Sequence, residues 1–386
     1  MSRFRDALAG PGLAALAEVK RRSPSAGELR PDADPARLAA AFERAGAAAV
    51  SILVDERFGG SVEDLAAARA AARLPLLAKG FFSDVEELTE LHRLGADAVL
   101  LLLRDLDDSQ AAALMGRAAE LGLDTLVEAH DAEEVDRAVR LGADPIGINA
   151  RDLSTFAIDR PAQLELVARA PRERVVVAES GIFARAHGAA AELAGADAIL
   201  VGSALMKAAD PAQKLSELIS RPLVKVCGLT REEDVAVAAE AGADLAGFVL
   251  ARESPRRATE VLPVPDTMLS VAVLVGELRD EPAELVQLYP REGDHRGRDG
   301  VLLRNGEEVA RVVDLPWQQQ DSTHLDRARA RSEHGRIVLA GGLGPENVRQ
   351  AIESVRPWAV DASSSLEREP GVKDHARVRA YVEAAR

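Results

Sequence analysis

Glu18 and Lys20 stand two apart at the end of the apolar run Ala14–Val19, so a carboxylate and an ammonium share one face of a strand. Four further strand-like runs end the same way. Leu74–Ala78 leads into Lys79, Thr125–Val127 into Glu128, Ile146–Ile148 into Asn149, and Val175–Ala178 into Glu179. A charged group beside a buried strand is expensive unless it is paired or used. Singly, these residues read as structure: Lys79 as a snorkelling surface lysine, Glu128 and Glu179 as partners of Lys20 and Lys79. Jointly, two lysines and three glutamates at one rim form a proton-transfer set whose pKa values the neighbours can shift.

Other segments offer seats for an anion. The loop Arg21-Arg22-Ser23-Pro24-Ser25 supplies charge and hydroxyls, although alone it reads as a solvated basic turn. Glu179-Ser180-Gly181-Ile182 and Val201-Gly202-Ser203 follow two of the runs, where loop amides and glycine let a phosphate approach closely. In the second half Cys227 ends Leu223-Val-Lys-Val-Cys. Taken alone it is a buried, inert thiol. Paired with an acid it could act as a base, and Asp314, ending Val309-Ala-Arg-Val-Val-Asp, is the candidate, with Asp321 as its rival. A base and an acid on opposite rims suit an aldose-to-ketose rearrangement, in which one proton leaves carbon while another reaches the ring oxygen. Ser254-Pro-Arg256-Arg257 offers cations, and Ala340-Gly341-Gly342-Leu343 and Ser363-Ser364-Ser365 offer phosphate loops.

The elements that must hold these groups are legible. The phrase Gly-Ala recurs at Gly46, Gly95, Gly142, Gly195 and Gly242, each time between a helical stretch and a β-branched or Leu-rich run. It reads as a helix stop, since glycine accepts the left-handed conformation there. Helices alternating with wholly apolar strands indicate a parallel sheet under a helical layer. Eight strands precede Ser220-Arg221-Pro222 and eight more follow it. The fold class is therefore α/β, two tandem (β/α)8 TIM barrels over residues 1–220 and 221–386. The second is shortened, compressed between Pro290 and Arg298, where a covering helix does not fit.

With 386 residues the chain suits two domains. A net charge of −15 argues against nucleic acid or an anionic membrane as partner, and leaves phosphorylated small molecules to be held by local groups such as Lys20, Arg256 and loop amides. One cysteine excludes an internal disulfide and suits the cytoplasm. No apolar run reaches the ~20 residues of a membrane span. The seven histidines are scattered without ligand spacing, so no metal is expected. The chain reads as a cofactor-free, cytoplasmic monomer.

AEVKRRSPSAG, FGGSVEDL, LPLLAKGF, LGLDTLVEAHD, IGINARDLSTF, VVVAESGI and ILVGSALM, in this order, resemble indole-3-glycerol-phosphate synthase of tryptophan biosynthesis. The resemblance implies ring closure of carboxyphenylamino-deoxyribulose phosphate with loss of carbon dioxide and water. It implies Lys79 as the acid on the carbonyl, Glu128 handling protons in the dehydration, and Lys20 holding anionic groups. Glu18, Asn149, Arg151, Glu179 and Ser180 would orient substrate and lysines; Gly181, Gly202 and Ser203 would seat phosphate, with Ser25 on the basic loop. Gly80 stands where the family usually has Asp, and the usual N-terminal helical cover is mostly absent, which predicts reduced rather than abolished activity.

KVCGLTREEDV, GFVLARESPRR, LAGGLGPENV and VDASSSLEREPGVKD resemble phosphoribosylanthranilate isomerase. That resemblance implies Cys227 as base, Asp314 as acid, Arg256 on the anthranilate carboxylate, and Gly341, Gly342, Ser363 and Ser364 on phosphate. Tyr289 stands where the family has a histidine, and Ser365 where it has glycine. The implied activity is bifunctional, the isomerase product being the synthase substrate. The compressed middle leaves one alternative, a monofunctional synthase with a structural second barrel.

Overall fold

The computed structural model of the chain describes residues 2–23, 27–152, 155–292, 295–315 and 321–386; Ser25 falls outside them. It divides into two compact units, Met1–Phe183 with His187–Ile219, and Ala184–Ala186 with Ser220–Arg386.

The first unit is a closed barrel of β1 (Ala14–Val19), β2 (Ala49–Leu53), β3 (Leu76–Lys79), β4 (Ala98–Leu102), β5 (Asp124–Ala129), β6 (Ile146–Asn149), β7 (Val176–Glu179) and β8 (Ala198–Val201). Every pairing is parallel, and β1 closes the ring against β8. Helices follow the strands because each is stopped and started by local chemistry. Asp34, Asp84, Asp107 and Asp131 cap helix N-termini by accepting from backbone N–H groups. The five glycines of the repeated phrase all have positive φ. The aspartate after Gly-Ala also serves the sheet. Asp97, Asp144, Asp197 and Asp244 accept from the backbone N–H of Leu76, Val175, Val176 and Val224, at the start of a nearby strand.

Alternation decides what fills the barrel. Leu16, Leu77, Leu126, Val177 and Leu200 share an apolar cluster with Phe4 and Leu8 of the helix Arg3–Leu8. Two residues further along these strands come Glu18, Lys79, Glu128, Glu179 and Gly202, on the same face. The interior is thus an apolar layer beneath a polar one. The short helix Arg3–Leu8 belongs to the opposite end, where Asp124, which opens β5, accepts from Phe4 and Arg5 N–H.

The second unit is also a closed ring of eight: β9 (Leu223–Cys227), β10 (Leu245–Val249), β11 (Leu269–Val275), β12 (Leu285–Tyr289), β13 (Gly300–Arg304), β14 (Glu307–Val313), β15 (Ile337–Leu339) and β16 (Ala359–Ala362). It departs from a uniform (β/α)8 repeat, because β13 runs antiparallel to both neighbours. The cause is local. Asn305 and Gly306 have φ of 50° and 81°, the left-handed pair of a tight hairpin, which turns β13 directly into β14. Between Pro290 and Arg298 the chain forms a small hairpin, Arg291–Glu292 against His295–Arg296, where a covering helix would otherwise stand. Among the described residues, helices follow only β9, β14, β15 and β16.

Candidate active site

The strand register aligns the polar ends of the first barrel at one level. Leu53 pairs with Lys79, Leu102 with Glu128, and Asn149 with Glu179. Their side chains turn into the mouth and meet. Lys79 Nζ lies 2.6 Å from Glu179 Oε2, 3.6 Å from Glu18 Oε1 and 3.7 Å from Glu128 Oε2. Lys20 Nζ lies 2.5 Å from Glu18 Oε2, and Asn149 Nδ2 donates to Glu128 Oε1 at 2.9 Å. All three glutamates are at most 3% exposed. Two backbone positions make room for them. A Cβ on Gly147 would stand 2.2 Å from Glu179 Oε1, and one on Gly202 would stand 2.0 Å from Glu18 Oε2.

Three carboxylates around two ammonium groups cannot all ionise freely in so little water. Burial would lower the Lys79 pKa, but Glu179, Glu18 and Glu128 outweigh it and the ammonium is held protonated. Burial pushes Glu179 up to about 8; Lys79 opposes this, while Glu128 adds repulsion. For Glu128 burial is overcome by His130 and Lys79, and the carboxyl falls to about 2. Glu18 is lowered too, its burial offset by Lys20 and Lys79. The mouth therefore holds a firm acid, a firm carboxylate and a carboxyl poised near neutrality.

Arg151, Ser180, Gly181 and Ser203 line the same cavity as this cluster, with Phe58, Phe81 and Phe183 as its aromatic wall. The Arg151 backbone N–H donates to Asn149 Oδ1 at 2.9 Å. Ser180 and Gly181 both take positive φ, 66° and 72°, an arrangement that is strained for serine. Gly202 precedes the short helix Ser203–Lys207. These loops close the rim beside Lys20, where an anionic group can be received.

In the second unit Cys227 ends β9 and Asp314 follows β14. β14, β15, β16 and β9 are mutually parallel, so both groups reach the same rim. Both are buried. Asp314 Oδ2 accepts from Tyr289 OH at 2.7 Å and Arg296 Nη1 at 2.8 Å; its pKa is raised by burial against the pull of Arg296. Asp321 has a different place: its side chain accepts from Thr323 ahead of the helix His324–Ser332 and pairs with Arg298. Burial raises the Cys227 pKa, opposed by Lys225. Arg256, expected to meet a substrate carboxylate, is paired with Glu367, which also holds Lys373. Gly341 and Gly342 take positive φ, and Lys373 Nζ donates to the Ser363 carbonyl at 3.1 Å. Ser364 opens the short turn Ser364–Leu366, and the Ser365 hydroxyl donates to the Leu343 carbonyl, tying two of these loops together.

Several members of the sites were not singled out from the sequence. His130 follows Glu128 by two residues and lies with Nε2 3.1 Å from Glu128 Oε1 and Nδ1 3.2 Å from Glu134 Oε2. The same two-residue spacing that marked Glu18 and Lys20 was available for it. It was available equally for Lys225 before Cys227; Lys225 Nζ contacts Asp361 at 2.7 Å and Gln287 at 2.9 Å. Arg296 and Glu367 had no such signal, because their partners come from remote segments, and Tyr289, marked only as a departure from the family pattern, meets Asp314 through the same remote pairing.

The family model described as indole-3-glycerol phosphate synthase matches residues 1–218, and that described as N-(5'phosphoribosyl)anthranilate (PRA) isomerase matches residues 319–384. Indole-3-glycerol phosphate synthase 2 of Streptomyces coelicolor is 48% identical over 217 residues, which is 56% of this chain and 84% of that protein. The indole-3-glycerol phosphate synthase of a Nocardioides species is 48% identical over 212 residues, 55% of this chain and 80% of its own. Among solved structures, phosphoribosyl anthranilate isomerase from Thermotoga maritima aligns at a TM-score of 0.33 and 26% identity, over 43% of this chain and 98% of that one. Among the described residues no helix is long and apolar enough to cross a membrane, and no group of three or more His, Cys, Asp or Glu could hold a metal ion. The chain belongs to the indole-3-glycerol phosphate synthase family and carries a phosphoribosylanthranilate isomerase region behind it, an enzyme of tryptophan biosynthesis with lyase and isomerase domains.

Proposed function

We propose that residues 221–386 rearrange phosphoribosylanthranilate to carboxyphenylamino-deoxyribulose phosphate, and that residues 1–220 close that product to indole-3-glycerol phosphate, releasing carbon dioxide and water. The observation that carries the second step is Lys79, with its ammonium within 3.7 Å of Glu18, Glu128 and Glu179. Lys79 protonates the ketone oxygen as the aromatic carbon attacks. Glu128, held ionised, takes the proton that leaves during dehydration. Glu18 and Asn149 orient Lys20 and Glu128, and Glu179 holds Lys79 against the carbonyl. Lys20 and Arg151 receive the substrate's anionic groups, with Ser180, Gly181, Gly202 and Ser203 seating phosphate. Phe58, Phe81 and Phe183 provide an apolar surface for the anthranilate ring.

In the isomerase barrel Cys227 removes the proton from carbon and Asp314 supplies one to the ring oxygen. Gly341, Gly342, Ser363 and Ser364 take the phosphate, and Arg256 exchanges Glu367 for the substrate carboxylate. The enzyme acts as a cytoplasmic monomer on its two phosphorylated substrates.

Separate assays of the two half-reactions test this reading. Cys227→Ala should abolish isomerase turnover and spare the synthase, and Lys79→Met should do the reverse. The antiparallel β13, and the lack of covering helices after β10 to β13 among the described residues, favour one competing reading, a structural second barrel. In that case wild-type protein shows no isomerase turnover, and Cys227→Ala changes stability alone.

A further inference from the structure

The isomerase barrel contains a chain of buried polar groups that the roles assigned above leave unused. Lys225 Nζ donates to Gln287 Oε1 at 2.9 Å, Gln287 Nε2 donates to Tyr289 OH at 2.7 Å, and Tyr289 OH donates to Asp314 Oδ2 at 2.7 Å. Lys225 also acts on the Cys227 thiol. The hydrogen-bonded links come from β9, β12 and the residue that follows β14, and run across the barrel from Lys225 to the carboxyl. Tyr289 itself is 3% exposed, with Arg296 lying 4.2 Å over its ring. Buried polar side chains joined in this way are fixed in orientation, since each loses its bond if its neighbour turns.

We propose that Tyr289 is a positioning residue of the isomerase site, aiming the Asp314 carboxyl and stabilising the carboxylate that remains once its proton has passed to the ring oxygen. The inference rests on the reading of Asp314 as the acid of the second barrel. When Asp314 gives up its proton its O–H bond breaks, the hydrogen bonds from Tyr289 and Arg296 stay in place, and the new negative charge is shared with the oxygen already facing the phenol. A donor waiting there stabilises the charged product of the transfer more than the neutral starting acid, which is what accelerates the step. The hydroxyl also lowers the pKa of Asp314. Arg296 acts in the same direction, while burial and Asp361 act in the other. Below the carboxyl, Asp299 accepts from the Asp314 backbone N–H and is itself paired with Arg327 and Arg331.

Tyr289→Phe tests this, because it keeps the ring beneath Arg296 and removes only the hydroxyl. Isomerase kcat at neutral pH should fall by about tenfold to a hundredfold, the range of one hydrogen bond to a charged group, with KM held within about twofold. The basic limb of the kcat profile, where Asp314 loses its proton, should move up by about one pH unit. A loss that is equal at all pH values, or an unmoved limb, overturns the proposal. If Tyr289→Phe does not fold, 3-fluorotyrosine in place of both tyrosines provides the complementary measurement. The fluorinated phenol is a stronger donor, so the limb should move to lower pH; a limb that stays in place overturns the proposal. Wild-type protein without isomerase turnover, or Asp314→Asn with full turnover, would refute the assignment of the acid instead.

Discussion

His130 offers the sharpest test of how the synthase mouth is charged. Its ring bridges Glu128 at 3.1 Å and Glu134 at 3.2 Å, and its backbone N–H donates to Glu134 at 2.7 Å. Burial would lower its pKa, but the two glutamates raise it to about 10. It is therefore an imidazolium throughout the neutral range. The fall of Glu128 from 4.5 to about 2 corresponds to about 3 kcal/mol in favour of the carboxylate. A charge pair near 3 Å is worth on the order of 5 kcal/mol at an effective dielectric of about 20. Removing that one partner is enough to let burial prevail. In His130→Gln the Glu128 pKa should climb to about 6, with Lys79 and Asn149 still opposing the rise. The consequence is read in the rate of indole formation from pH 4.5 to 8. Wild-type kcat should stay flat to the acid end as far as Glu128 is concerned, while the variant should fall below about pH 6. Glu134→Gln, acting only through His130, should move the limb in the same direction by less. A His130→Gln profile that superposes on the wild type would refute the reasoning. The stability signs follow separately. Glu128 has a depressed folded pKa, so its contribution is present above pH 4.5 and lost as pH falls through about 2. His130 has a raised one, so its contribution is full below pH 6.5 and lost as pH rises through about 10.

Other outcomes follow from the same geometry. Lys79→Met should lower synthase kcat by about a thousandfold and cost about 3 kcal/mol in urea unfolding, because three buried carboxylates lose their shared cation. Gly147→Ala should displace the Glu179 carboxyl, whose oxygen would sit 2.2 Å from the new methyl. A kcat loss of about tenfold or more, in a protein that melts cooperatively, would register it. Gly80→Asp, which brings in the residue that the family resemblance implies there, should not raise activity. A Cβ there stands 2.8 Å from the Phe82 ring and 3.2 Å from Val54, so thermal melting should reveal a loss of about 1–3 kcal/mol, relieved by Phe82→Val. Isomerase kcat/KM should follow a bell-shaped pH profile, since the base must be the Cys227 thiolate, whose pKa burial holds above its usual 9.0, while Asp314 must keep its proton; a Cys227→Ser variant that retains both limbs and full turnover would remove Cys227 from that role.

Some of these outcomes turn on side chains that the sequence identified and others on neighbours that it did not, which reflects how information is distributed along the chain. Glu18, Lys20, Lys79, Glu128, Asn149 and Glu179 could be recognised because strand parity is local. A residue two places beyond an inward-facing leucine also faces inward, whatever the rest of the fold does. The helix stops, the aspartate caps and the closure into eight-stranded rings follow from equally short-range rules. Even the reversal of β13 has a local signal in Asn305-Gly306, a hairpin pair that a uniformly parallel reading of the strands passes over.

What only the tertiary structure decided is which groups end up as neighbours. The composition holds three glutamates and two lysines at these strand ends, but only the register places Lys79 among Glu18, Glu128 and Glu179 and so divides three chemically identical carboxyls into different ionisation states. Asp314 and Asp321 are close in sequence and indistinguishable by type; burial under Tyr289 and Arg296 separates the first from the second, which faces Thr323 and Arg298. A pKa is set by every charge and every lost water within a few ångströms, and in a closed barrel those come from strands dozens of residues away. The alternation along one strand is written in that strand, whereas the field inside the ring belongs to all eight together.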